Sequence, residues 1–207
     1  MNQSTLTQRD VAILQFINAF GFCEMPQIEK KFLLKKPRSY QVMKRLITMG
    51  LVMHERIFHG RHGIYRLSKK GALHTGLPAL HRMPLDYYDH ELKLVNLYLK
   101  LMASYTDADW KSERQLQHEK CLSGIGQRGH VADGLMTLPD GKKIAIELEL
   151  SLKGRARIER ILKSYATQFT IDEVWYFCAN HVKTALTDLV VKMPFIKLYS
   201  LDEMMNG

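Results

Sequence analysis

The sequence predicts an α+β protein of two modules: a basic helical module with a β-hairpin at residues 1–80, and a mixed sheet flanked by helices at residues 81–207. Three observations point to this. Residues 1–80 carry 13 Lys and Arg against 4 Asp and Glu, whereas residues 81–207 carry 17 of each, so the whole net charge of +9 lies in the first module. The hydrophobic period changes along the chain, with α, α, α, β, β in the first module and α, β, β, β, α, β, α, β in the second. Between them Gly76-Leu77-Pro78 and Met83-Pro84 suit neither period, which places a linker near residues 76–85.

Composition excludes several classes. Hydrophobic residues make up 46% of the chain and charged residues 25%, the balance of an ordinary water-exposed domain. No apolar run approaches the ~20 residues of a membrane span. The opening MNQSTLTQRD is polar where a signal peptide is apolar, so a cytoplasmic protein without a membrane partner is expected. Cys23, Cys121 and Cys178 are odd in number and far apart, which suggests neither a disulfide framework nor a zinc site. Positive charge gathered on one module is the footprint of a polyanion.

In the first module, Thr7 is placed to cap a helix that carries Val11, Leu14 and Ile17 at helical spacing and ends at Gly21. Met25-Pro26-Gln27 starts a short second helix running to Phe32. Lys35-Lys36-Pro37-Arg38-Ser39 turns into a third, with Val42, Leu46, Ile47 and Met49 along one side and Gly50 at its end. Residues 51–58 and 64–68 are strand-like, and His59-Gly60-Arg61-His62-Gly63 turns between them. In this order, with Met43-Lys44-Arg45-Leu46-Ile47-Thr48-Met49-Gly50 and Tyr65-Arg66-Leu67-Ser68-Lys69-Lys70-Gly71, the stretch resembles the winged helix-turn-helix domains of bacterial regulators.

That resemblance implies double-stranded DNA as partner. Arg38, Ser39, Gln41, Lys44 and Arg45 lie on the polar side of the third helix, and Ser39 and Gln41 are the candidate base readers. Arg61, in the wing turn, is placed for a phosphate or the neighbouring minor groove. His62 is a weaker candidate because it is mostly neutral at pH 7. The competing reading is a helix solvated by its charges, or a wing used for dimerisation.

The second module opens with a helix through residues 85–102, in which His90, Leu94, Leu97 and Leu101 share a stripe and Glu91 lies one position round. Residues 109–116 look like a strand leading into a loop. A hairpin follows. Asp133 stands in its first strand, Pro139-Asp140-Gly141 makes the turn, and in KKIAIELELS the residues Ile144, Ile146, Leu148 and Leu150 alternate with Lys143, Ala145, Glu147 and Glu149. Glu147 and Glu149 therefore point the same way, about 7 Å apart, and repel unless solvent or a cation intervenes. A solvated polar face is the alternative. A helix over 154–169 carries Ile158, Ile161, Leu162, Tyr165 and Phe169 on one stripe, with Arg155, Arg157, Arg160 and Lys163 off it. A buried strand at 172–178, a helix at 183–191 and a last strand at 195–200 complete the module.

Asp133 fourteen residues before Glu147 on paired strands resembles the PD-(D/E)XK nuclease core, in which an Asp and a Glu-x-Lys hold Mg²⁺ and position the attacking water. Ala132 replaces the motif's Pro, and Glu149 stands where the Lys belongs. The resemblance implies a PD-(D/E)XK nuclease-like mixed sheet with Mg²⁺ or Mn²⁺ on Asp133 and Glu147. Glu91 is the implied accessory ligand with Glu113 as its rival, Glu149 joins the catalytic carboxylates, and Lys153 or Lys163 supplies the missing positive charge. The winged helix, the Glu-x-Glu hairpin, Lys163-Ser164-Tyr165 and Val174-Trp175-Tyr176-Phe177 together resemble the replication-relaxation family, which includes MobC-type plasmid mobilisation relaxases. The implied function is a metal-dependent nickase at a transfer or replication origin, with relaxosome or coupling proteins as partners. The alternative is a non-catalytic DNA-binding regulator or relaxosome accessory protein, which the loss of the Lys favours.

Overall fold

The computed structural model describes residues 5–123 and 130–206, and divides the chain into two compact units, 1–99 and 100–207. In the first, α1 (Gln8–Phe20) begins at a reciprocal cap. Thr7 Oγ1 accepts the Asp10 N–H at 3.2 Å, and Asp10 Oδ2 accepts the Thr7 N–H at 2.8 Å. Next come β1 (Phe22–Glu24), α2 (Met25–Phe32) and α3 (Arg38–Thr48), then β2 (Val52–Glu55), β3 (Ile64–Leu67) and a short α4 (Lys69–Ala72). The three strands form an antiparallel sheet in the order β1-β3-β2. Its first strand was not legible: three residues after a glycine cap are too few to show a period. Ile13, Leu14 and Ile17 of α1, Ile28 of α2, and Val42, Met43 and Leu46 of α3 are buried.

The boundary lies some twenty residues beyond the one expected at 80. After a 3₁₀ turn, α5 (Tyr88–Ser104) begins, and its residues up to Leu99 belong to the first unit. The reason is packing. Tyr88 stacks on Phe22 with ring centroids 5.3 Å apart, and Tyr98 lies 5.0 Å from the ring of Phe20. The Gln27 side chain donates to the Leu92 carbonyl at 2.9 Å and to Asn96 Oδ1 at 3.0 Å. The proline-rich connection punctuates the chain without ending the core.

The second unit is built on a five-stranded mixed sheet in the order β4-β5-β6-β7-β8, comprising β4 (Asp109–Ser112), β5 (Gly134–Thr137), β6 (Lys143–Glu149), β7 (Glu173–Cys178) and β8 (Ile196–Ser200). β4, β5 and β6 pair antiparallel, whereas β6, β7 and β8 run parallel. The expected strand over 109–116 is half helix: Ser112 caps α6 (Glu113–Leu122) by accepting the Gln115 N–H, and Gln115 Oε1 accepts the Ser112 N–H at 2.9 Å. α7 (Arg155–Tyr165) and α8 (Asn180–Val190) supply Ile158, Leu162, Tyr165, Val182 and Leu186 to a core with Ala145, Val174 and Tyr176, and α9 (Leu201–Asn206) follows β8. β6 is central, and all of its residues from Ile144 to Glu149 are buried. Both of its faces are covered, so the solvated polar face that its alternation suggested does not exist.

Candidate functional site

Two groups of side chains stand out, one in each unit. In the first, α3 buries Ser39, Val42, Met43 and Leu46 and turns Tyr40, Gln41 and Lys44 outward. Arg38 is exposed as well. Two of the residues expected on the outward face are committed inward. Ser39 is fully buried and its Oγ donates to Glu29 Oε1 at 2.6 Å, which removes it as a base reader. Arg45 donates to Asp10 Oδ1 at 2.5 Å. Burial alone would raise the Asp10 pKa, but the bonds from Thr7 and the Arg45 charge overcome it and hold the carboxyl below its ordinary value.

In the β2–β3 turn, Arg61 is half-exposed and ion-paired with Asp89, its guanidinium 5.4 Å from the ring centre of Phe58. Hydrogen bonding to Asp89 raises the Arg61 pKa, and the same bond lowers that of Asp89. Tyr40 was missed by the sequence reading. A tyrosine at the start of a helix reads as core by default, yet its side chain is 48% exposed with Lys36 Nζ 5.6 Å from the ring centre.

The second group lies at the C-terminal end of β6. Gly134 pairs with Ile146, so the register carried one step further sets Asp133 opposite Glu147. Gly134 is needed for this: a Cβ there would stand 2.1 Å from Trp110 of β4. Asp133 Oδ2 accepts the Leu148 N–H at 2.7 Å. Glu147 is 3% exposed, and its Oε1 meets His130 Nε2 at 2.6 Å and accepts the Tyr165 hydroxyl. Burial and the nearby Asp133 raise the Glu147 pKa against the opposing pull of His130 and Tyr165. Burial would lower that of His130, but its bond and attraction to Glu147 prevail and raise it. Tyr165 is pushed well up by burial and by the Glu147 charge. Glu149 is paired with Lys153, Nζ to Oε2 2.7 Å.

Lys163 is exposed. It lies two residues before Tyr165, about 200° round α7, so when Tyr165 faces Glu147 the lysine faces away. Lys153 supplies the positive charge instead, and to Glu149. Glu91 belongs to the first unit, with His90 Nδ1 3.6 Å from its carboxylate. Glu113 is carried next to Asp133 by strand pairing, its N–H donating to the Asp133 carbonyl at 3.0 Å, while its carboxylate accepts Gln117 Nε2 at 2.6 Å. His130 and Tyr165 were not singled out for this site. Tyr165 offered one signal, a hydroxyl on an apolar stripe, which needs a partner once buried.

Mg²⁺ and Mn²⁺ take a shell of oxygen ligands, near-octahedral for Mg²⁺, so a carboxylate that binds them must offer its lone pairs. Here Glu147 serves His130 and Tyr165, Asp133 serves Leu148, and Glu149 serves Lys153. Among the described residues no three of His, Cys, Asp and Glu are grouped to hold a metal ion. As arranged, each of these carboxylates spends one oxygen on a donor from the chain itself, and the implied cation would have to bind the other oxygen or displace that donor.

No family model and no curated protein matches the chain. Among solved structures, a probable transcriptional regulator from Pseudomonas aeruginosa is similar at 18% identity and a TM-score of 0.32, over 58% of this chain and 79% of that one. The restriction endonuclease FokI is similar at 16% identity and a TM-score of 0.33, over 100% of this chain and 46% of that one. Likenesses at this level assign neither fold family nor activity. The molecule itself defines an α+β protein with a three-stranded and a five-stranded sheet in separate units, and among its described residues no helix is long and apolar enough to cross a membrane.

Proposed function

We propose that the chain is a duplex-DNA-binding protein: a winged helix-turn-helix joined to a nuclease-like unit that serves binding or assembly at an origin rather than strand cleavage. The observation that carries this reading is the outward side of α3, where Arg38, Tyr40, Gln41 and Lys44 are exposed and the helix holds no acidic residue. A helix of that make-up suits a major groove flanked by phosphates. In the second unit Arg157, Arg160 and Lys163 are exposed along α7 and would add phosphate contacts.

A second reading, the Mg²⁺- or Mn²⁺-dependent nickase, is favoured by one observation: strand register sets Asp133 against Glu147, with Lys153 on Glu149. A supercoiled-plasmid relaxation assay with each cation, on plasmids with and without a candidate origin, is run beside a gel-shift titration. The proposal expects retarded duplex and intact supercoils. Nicking that disappears in Asp133→Ala would establish the second reading, and duplex that is not retarded at all overturns both.

A further inference from the structure

Resting on the DNA-binding reading above, we infer that Tyr40 and Ile47 of α3 read thymine, through apolar contact with its 5-methyl group in the major groove. The two residues are seven apart, so they share one side of the helix with Lys44 between them. Both are exposed, Tyr40 at 48% and Ile47 at 38%, on a helix whose other large apolar side chains, Val42, Met43 and Leu46, are buried. The buried face of α3 is thus already filled, and Tyr40 and Ile47 are left over from it.

An exposed apolar pair can take an occupant, and the surrounding charge selects one. Lys36, against the Tyr40 ring, and Lys44, between the two residues, are both exposed beside the pair. A second protein surface would have to be acidic to meet them, whereas duplex DNA brings phosphates to the cations and, on the groove floor between them, one apolar group: the thymine methyl. Lys36 over the Tyr40 ring also restrains an aromatic side chain in the exposed position before any ligand arrives. Polar Gln41, beside Tyr40 and exposed, is left for hydrogen bonding to base edges. A polar reader with two apolar neighbours predicts sites that contain A·T pairs.

The test removes the methyl group and nothing else. Duplexes enriched by the full chain from a random pool are synthesised with thymine or with uracil, and the Kd of each is measured by fluorescence anisotropy. Wild type is expected to bind the uracil duplex about fourfold more weakly for each methyl group it buries. Tyr40→Ala and Ile47→Ala should each bring the uracil-to-thymine ratio toward one at unchanged circular dichroism, Tyr40→Phe should keep it, and Lys44→Ala should weaken both duplexes alike. A wild-type ratio of one overturns the inference while leaving DNA binding intact. So does a dimer in sedimentation that Tyr40→Ala dissociates without changing the ratio. A pool from which nothing is enriched overturns the DNA reading itself, and the inference with it.

Discussion

At the scale of single residues, hydrogen bonds decide which polar groups face solvent, and sequence patterns register them poorly. Ser39 and Gln41 are equally plausible readers on a helical wheel, yet Glu29 on α2 takes the serine inward. Tyr165 carries the clearest consequence. Its hydroxyl donates to a carboxylate that is almost fully buried, and with His130 still bonded to the same oxygen the loss of this one bond costs on the order of 1 kcal/mol. Tyr165→Phe should therefore lower unfolding stability in urea by that amount, whereas Lys163→Ala, exposed on the same helix, should stay within about 0.5 kcal/mol of wild type. Equal midpoints for the two variants would remove the Tyr165–Glu147 bond from the account.

Glu173 gives a pH dependence at the same scale. Burial opposes its ionisation, but Lys142, Lys197 and Trp175 donate to it at 2.7–2.8 Å and hold its pKa at about 2 against an ordinary 4.5. A depressed acid stabilises the fold fully above its unfolded value and loses that contribution as pH falls toward its folded one. The melting temperature of wild type should fall between pH 4.5 and 2. Glu173→Gln should flatten that limb, and added salt should shrink the difference because both lysines are partly exposed.

At the scale of elements, α1, α2, α3, β2, β3 and β6 to β8 were legible because caps, glycines and periodicity agree there. α6 was not: Asp109 to Ser112 form a strand, and only the Ser112–Gln115 cap turns the next ten residues into a helix. In β6 the period was read correctly and the environment was not, since alternation cannot distinguish a solvated face from one covered by α7 and α8. The β2–β3 turn adds a constraint on the proposed DNA binding. Arg61 is held by Asp89, and an exposed ion pair of this kind contributes little to stability because solvent screens it, so a phosphate can replace the carboxylate at little cost. Asp89→Asn frees the guanidinium beforehand. It should tighten duplex binding and steepen the log–log salt dependence by no more than about one unit, while Arg61→Ala should abolish the effect of Asp89→Asn. Identical salt slopes in wild type and Asp89→Asn would take Arg61 out of the interface.

At the scale of the whole chain, the charge division and the proline-rich connection both pointed to 80, and tertiary packing moved the boundary to Leu99. Pro78 and Pro84 break a helix, but neither reports whether the next helix packs forward or back, because that choice rests on contacts sixty to eighty residues away in sequence. Phe16, Phe20 and Phe22 make those contacts with Tyr88 and Tyr98, and Gln27 makes them with Leu92 and Asn96. A fragment ending at residue 80 would keep every cationic residue of the basic module and expose this aromatic cluster to water, with Gln27 stripped of both acceptors. Several large side chains left uncovered, at about 1.5–3 kcal/mol each, outweigh the typical margin of a small domain. Residues 1–99 should therefore melt cooperatively and shift duplex DNA, and residues 1–80 should show neither a cooperative transition nor salt-sensitive binding. Charge is the same in the region both fragments share, so a difference between them isolates folding from electrostatics. A 1–80 fragment that melts sharply and binds like the longer one would put α5 back in the second unit.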